Sequence, residues 1–163
     1  MDYRIEKRDA FSVVCKRKRV DKPQAANATP DITAMWQEYG ADGTMGRLIA
    51  CMPEQPVMKG LLGICFSAEL NARQFPYGIG VEYDGREVNE DLEVVNIPAH
   101  TYAVFTSKGK MPDAFIETYQ RIVSEFFPQS TQYEYVEFEV YSSADISDPD
   151  YHCEIWIAVN EKA

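Results

Sequence analysis

The sequence predicts an α+β protein made of two successive β-α-β-β units, an antiparallel sheet with helices on one face and a central ligand groove. Three observations carry this. An order of long strand, helix and two further strands occurs twice, about 85 residues apart, which is the signature of an internal repeat. Asp9-Ala10-Phe11-Ser12-Val13-Val14 and Pro98-Ala99-His100-Thr101-Tyr102-Ala103 match in pattern and place. Tyr77 and Tyr151 each open the last strand of a unit. The 163 residues are read as one domain, with repeat 1 over about 1–86 and repeat 2 over about 87–163.

Residues 3–17 read as one long strand, because Phe11, Val13 and Cys15 alternate with Ser12, Val14 and Lys16. A loop rich in Pro, Ala and Asn follows at 21–30. Thr29-Pro30-Asp31 is a helix start, with Pro suited to the first turn and Thr or Asp to the cap. Ile32, Met35, Trp36 and Tyr39 then recur at helical spacing, Gly40 and Gly43 interrupt, and 48–52 continues the helix. Residues 61–66 form an apolar strand and 77–83 its hairpin partner, across a long loop around 71–76. Asp84-Gly85 closes the unit with a turn.

In the second unit, 92–106 is a strand with a break near Pro98, and Lys108-Gly109 is a turn. Pro112 opens a helix with Phe115, Ile116, Tyr119, Val123 and Phe126 on one stripe, and Pro128 ends it. Residues 135–141 and 151–160 are the closing strands, joined by a loop rich in Asp and Ser.

The last strand has two different faces. Cys153, Ile155, Ile157 and Val159 point one way and are expected to pack under the second helix, against Phe115, Tyr119 or Val123. His152, Glu154, Trp156 and Ala158 point the other way. A carboxylate beside an indole suits a flat organic cation through charge and cation–π attraction. An ordinary exposed Glu beside a partly covered Trp is the plain alternative. If Glu154 lines an enclosed groove, its burial is costly unless a partner or ligand meets it.

Composition narrows the function classes. With 16 basic and 26 acidic residues the formal charge is −10, which opposes direct nucleic-acid binding. The basic run Lys16-Arg17-Lys18-Arg19 is read as a solvated strand end. Cys15, Cys51, Cys65 and Cys153 are widely spaced, as buried thiols of a reducing compartment are. The start of the chain lacks an apolar signal segment and no apolar run reaches membrane-spanning length, so a cytoplasmic location without membrane contact is expected. Two histidines, His100 and His152, provide no metal-ligand spacing, and no nucleophile elbow or phosphate loop occurs. No metal or cofactor is expected. Ten Tyr, eight Phe and two Trp supply the aromatic surface a groove would need. The wall candidates are Trp36, Tyr83, Tyr102, Tyr141 and Trp156, although each Tyr taken alone also suits the border of a core. Glu139 and Tyr141 share one face of their strand, as Glu154 and Trp156 do.

In order and spacing, these pieces resemble the GyrI-like effector-binding domains, also known as AraC-type or BmrR-like ligand-binding domains. The most specific parts are Ile97-Pro98-Ala99-His100-Thr101-Tyr102-Ala103-Val104-Phe105 and Glu154-Ile155-Trp156-Ile157. The resemblance covers nearly the whole chain. It implies a duplicated β-α-β-β fold with a central pocket, in which relatives hold lipophilic cations against a buried glutamate. By motif position that role falls on Glu154, with Trp156 beside it. Ala158 stands where the family usually has Pro.

The functional expectation is a stand-alone module for amphipathic, cationic aromatic ligands, held by Glu154, Trp156, Tyr141, Tyr83, Trp36 and Tyr102. The resemblance leaves two alternatives open. One is a hydrolase of electrophilic, cyclopropanoid-type molecules with Glu154 as general base. The other is a protein acting on DNA gyrase or on a separate regulator.

Overall fold

The computed structural model describes residues 1–21, 30–66, 74–85, 87–88, 90–128, 133–141 and 149–159. Most of the loop expected at 21–30, and of the one before Tyr151, lies outside these residues; of the loop expected at 71–76, residues 74–76 instead begin a strand. Among the described residues, eight strands form one antiparallel sheet: β1 (Arg4–Arg8), β2 (Phe11–Asp21), β3 (Leu61–Phe66), β4 (Gln74–Glu82), β5 (Glu93–Ile97), β6 (His100–Lys108), β7 (Tyr133–Tyr141) and β8 (His152–Val159). Helices α1 (Pro30–Ala41) and α2 (Thr44–Ile49) lie between β2 and β3. Helix α3 (Asp113–Arg121), extended by a π-helical turn over Ile122–Phe126, lies between β6 and β7.

The duplicated α+β architecture is present. The sheet order is β1-β6-β8-β7-β3-β4-β2-β5. Exchanging each strand for its counterpart in the other repeat reverses this order and leaves it otherwise unchanged. Registers obey the same relation: Ile5 faces Ala103, and their counterparts Val94 and Val14 also face each other. The central pair is β3 with β7, where Gly63 stands opposite Glu139.

The first long strand differs from its expected form. It breaks at Asp9-Ala10 as the second breaks at Pro98-Ala99. Each break sends the first arm of a repeat across to the other repeat, so β1 pairs with β6 and β5 with β2. Only two residues join β1, at one end of the sheet, to β2, next to the other end. The sheet therefore rolls up. Arg8 on β1 reaches Glu82 on β4 at 2.7 Å, and Phe11 on β2 meets Phe138 on β7 at 5.8 Å between ring centroids.

Rolling buries an inner core of Val13, Leu62, Ile64, Tyr102, Phe138 and Trp156. The outer face carries the helices. Helices α1 and α2 cover Val14, Tyr77, Ile79 and Val81. Helix α3 and its π-turn cover Ala103, Phe105, Ile155 and Ile157. Ile155 and Ile157 pack in this cluster with Phe115 and Tyr119 against it, and Cys153 is buried on the same face, as alternation predicts. Val123 is exposed instead, since the π-turn changes the helical phase beyond Arg121.

The break between α1 and α2 is a glycine device. Gly43 adopts a left-handed conformation that other residues avoid, and Asp42 Oδ1 accepts the Thr44 N–H at 2.9 Å. The basic run is part of β2, where Arg17 pairs with Glu93 and Lys18 with Glu38. No helix among the described residues is long and apolar enough to cross a membrane.

Candidate functional site

On the outer face, over β3 and β7, Trp36 from the first helical layer and Phe115 from the second both approach Tyr141, and we term the region between them the recess. Strand β7 supplies Glu137, Glu139 and Tyr141, which alternation places together on this face. Two acids on the helix-covered side of a central strand are costly unless something meets them. Here tyrosines do. Tyr77 donates to Glu139 Oε1 at 2.8 Å and Tyr141 donates to the same oxygen at 2.9 Å. Among the described residues, Glu139 Oε2 takes no protein donor. Trp36 Nε1 donates to the Tyr77 hydroxyl at 3.1 Å, tying α1 to the site. Tyr119, from α3, donates to Glu137 at 3.2 and 3.4 Å.

The walls are aromatic. Trp36 meets Tyr141 edge-on at 5.2 Å, and Phe115 reaches Tyr141 from the opposite layer at 6.4 Å. Gly63 makes the floor possible: a β-carbon there would collide with both the Glu139 carboxylate and the Tyr77 hydroxyl. Glu137, Glu139 and Tyr141 lie deep among protein atoms yet keep part of their surface open, as side chains lining a cleft do.

Burial sets the electrostatics. Loss of water pushes the Glu137 carboxyl up to about 7; the Tyr119 bond opposes this, and the neighbouring Glu139 charge adds to it. Burial also raises Glu139, against the pull of Tyr77 and Tyr141. The Tyr77 and Tyr141 hydroxyls are raised well above their ordinary value, first by burial and then by Glu139, so both remain protonated donors. The arrangement can take up a positive charge in a largely buried, aromatic setting, or a proton in its place.

The six residues expected to share one groove fall on different parts of the molecule. Trp36 and Tyr141 line the recess. Tyr83 lies past β4 and packs on the outer core of the first repeat. Tyr102 and Trp156 belong to the inner core, with ring centroids 5.5 Å apart. Glu154 is on that inner face too, near its rim. The cation it meets is the protein's own: Arg4 Nη2 lies 2.8 Å from Glu154 Oε2, and the Arg4 guanidinium sits 5.7 Å from the Trp156 ring. Trp156 Nε1 donates to Glu154 Oε1 at 3.1 Å. This separation has a simple cause. The helix-covered face of β8 is the expected one, but the groove was expected on the opposite face, and rolling of the sheet closes that face into the inner core.

Sequence reasoning noted Glu139 beside Tyr141 but did not select it. It placed Phe115 and Tyr119 only in a core stripe, and it missed Glu137, Gly63 and the link from Tyr77 to Trp36. The available signal was an acid at every second position, Glu137 and Glu139, within a strand flanked by apolar strands. Among the described residues, no group of three or more His, Cys, Asp or Glu side chains could hold a metal ion.

Comparison with known proteins agrees with this architecture. Residues 4–159 match the Cass2 family, described as integron-associated effector binding protein. No curated protein matches the chain. Among solved structures, SAV2435 bound to tetraphenylphosphonium superposes with a TM-score of 0.83 at 23% identity, over 98% of this chain and 94% of that one. A Staphylococcus aureus protein described as a putative bacterial transcription regulation protein gives 0.79 at 21% identity, over 99% of each chain. An integron cassette protein from the mobile metagenome of Vibrio cholerae gives 0.64 at 18% identity, over 97% of this chain and 95% of that one. These likenesses establish the shared fold.

Proposed function

The chain belongs to the Cass2 family of integron-associated effector-binding proteins, and from that premise we propose that the recess over β3 and β7 is its effector site. The ligand class in this proposal is a lipophilic aromatic cation. The observation that carries it is the Glu139 carboxylate, fixed by Tyr77 and Tyr141 through one oxygen and walled by Trp36. A cation there gains a desolvated carboxylate and aromatic faces together. The tyrosines hold the carboxylate in place before the ligand arrives, which lowers the ordering cost of binding. SAV2435, which shares the fold, is described with tetraphenylphosphonium bound, a cation of this class. The two repeats act as one unit in this reading, since Tyr77 and Gly63 come from the first and Glu137, Glu139 and Tyr141 from the second.

The test is calorimetric titration with tetraphenylphosphonium and, as a neutral counterpart, triphenylphosphine oxide. Glu139→Gln keeps the shape and removes the charge. It should weaken the cation by tenfold or more, in line with the roughly 2–5 kcal/mol lost when a buried charge pair is truncated, and leave the neutral compound within about threefold. Equal losses for the two compounds, or no binding of the cation to the unaltered protein, would refute the proposal.

A further inference from the structure

The recess holds two carboxylates where one cation needs one. Glu137 and Glu139 are two residues apart on the same face of β7, so their Cα atoms are separated by roughly 6.5 Å at the usual strand rise. They have separate supports. Glu139 is fixed by Tyr77 and Tyr141 from the sheet, and Glu137 by Tyr119 from α3. Each faces a small residue across the strand pair: Gly63 lies opposite Glu139 and Cys65 opposite Glu137. The space beside both acids is therefore not filled by a long side chain from β3. Glu139 accepts two short bonds, whereas Glu137 accepts from one hydroxyl at 3.2 and 3.4 Å. Glu137 is the less satisfied of the two.

We propose that the recess selects flat aromatic dications whose positive centres lie about two strand residues apart, with Glu139 taking one centre and Glu137 the other. This rests on reading the recess as the cation site. A monocation seated on Glu139 leaves Glu137 beside it, either as a bare buried charge or with a proton retained. Both states cost free energy that a second positive centre removes. The rings of Trp36, Tyr141 and Phe115 favour a planar aromatic framework between the centres.

Methyl viologen and N-methyl-4-phenylpyridinium form a matched pair. They share size and planarity and differ by one charge, and the viologen nitrogens sit at opposite ends of two joined rings. Calorimetry at pH 8, above the value of about 7 to which burial pushes Glu137, should give the dication about a tenfold advantage on the unaltered protein. Lowering the pH below 6 should shrink that advantage to about threefold or less, because Glu137 takes a proton. Glu137→Gln should likewise abolish the preference, and Glu154→Gln, which removes the same charge elsewhere, should keep it. Equal affinities for the pair, or a preference that survives both Glu137→Gln and low pH, would overturn the proposal. If neither compound binds, tetraphenylphosphonium separates the two ideas. Its binding leaves the effector site standing and removes the dication preference; its failure removes both.

Discussion

Gly63 and Glu139 face each other across the central strand pair, and the internal repeat makes each the counterpart of the other. The pseudo-two-fold relation therefore passes between a residue with no side chain and a buried acid. Symmetry gives way where the chemistry sits. One repeat provides the charge and the other provides the space for it.

Replacing that glycine should disturb both fold and binding. The β-carbon of Gly63→Ala would strike the Glu139 carboxylate and the Tyr77 hydroxyl. A destabilisation of about 1–3 kcal/mol is expected from overpacking, read from the midpoint of urea unfolding. Tetraphenylphosphonium affinity should fall with it, because the pair that holds the acid in position is forced apart.

Removing the hydroxyl donors should move the titration of the site. Tyr77 and Tyr141 both lower Glu139 relative to what burial alone would give. Tyr77→Phe or Tyr141→Phe should raise the Glu139 pKa and shift the acid limb of cation binding to higher pH, and the double substitution should shift it further. Affinities measured between pH 5 and 8 decide this; an unmoved limb would show that the hydroxyls do not tune the carboxylate.

Glu137 gives a stability signature with a definite sign. Its folded-state pKa, about 7, lies above the ordinary 4.5, so the folded protein binds the proton more tightly than the unfolded chain does. Its contribution is fully present below the unfolded value and is lost as pH rises through the folded one. Relative to Glu137→Gln, the unaltered protein should lose on the order of 1–2 kcal/mol between pH 4.5 and 8, allowing for partial exposure. Thermal unfolding of both proteins across that range measures the difference. A saturating cation should oppose the loss.

Two other acids should behave unlike the recess pair. Glu82 is 6% exposed, pairs with Arg8 and accepts the N–H groups of Val57 and Met58 at 3.2 and 2.8 Å. Glu82→Ala strands those groups and should cost about 3–5 kcal/mol. Glu154 is 30% exposed in its side chain and pairs with Arg4, so Glu154→Gln should cost under about 1 kcal/mol. Neither should change the ratio of tetraphenylphosphonium to triphenylphosphine oxide affinities in the folded protein.

The strands and helices were legible because each carries its own period. Cys153, Ile155 and Ile157 alternate, and Phe115 and Tyr119 fall on one helical stripe. The duplicated order was legible in the matched segments around Phe11 and His100. The break at Asp9-Ala10 was hidden because no proline marks it, in contrast to Pro98. The recess was harder. The helix-covered face of β8 was legible, but the groove was expected on its other face, which only the rolling of the whole sheet closes into a core. Glu154 and Trp156 satisfied every local criterion for a cation site, but Arg4, 150 residues earlier in the chain, already occupies that role. The hydroxyl of Tyr119 finds Glu137 only once α3 is seated, and no local spacing encodes that meeting.

The exchanged arms bear on how this molecule comes into being. Because β1 completes the second repeat and β5 the first, neither half owns all of its hydrogen bonds. An isolated half would recover them only by clasping a second copy, arm over arm, and the single polypeptide has the form of such a handshake made permanent by a covalent join. Ribosomal synthesis delivers the first half with the edges of β1, β2 and β3 unclaimed until β6, β5 and β7 follow, so folding is governed by late, long-range pairing.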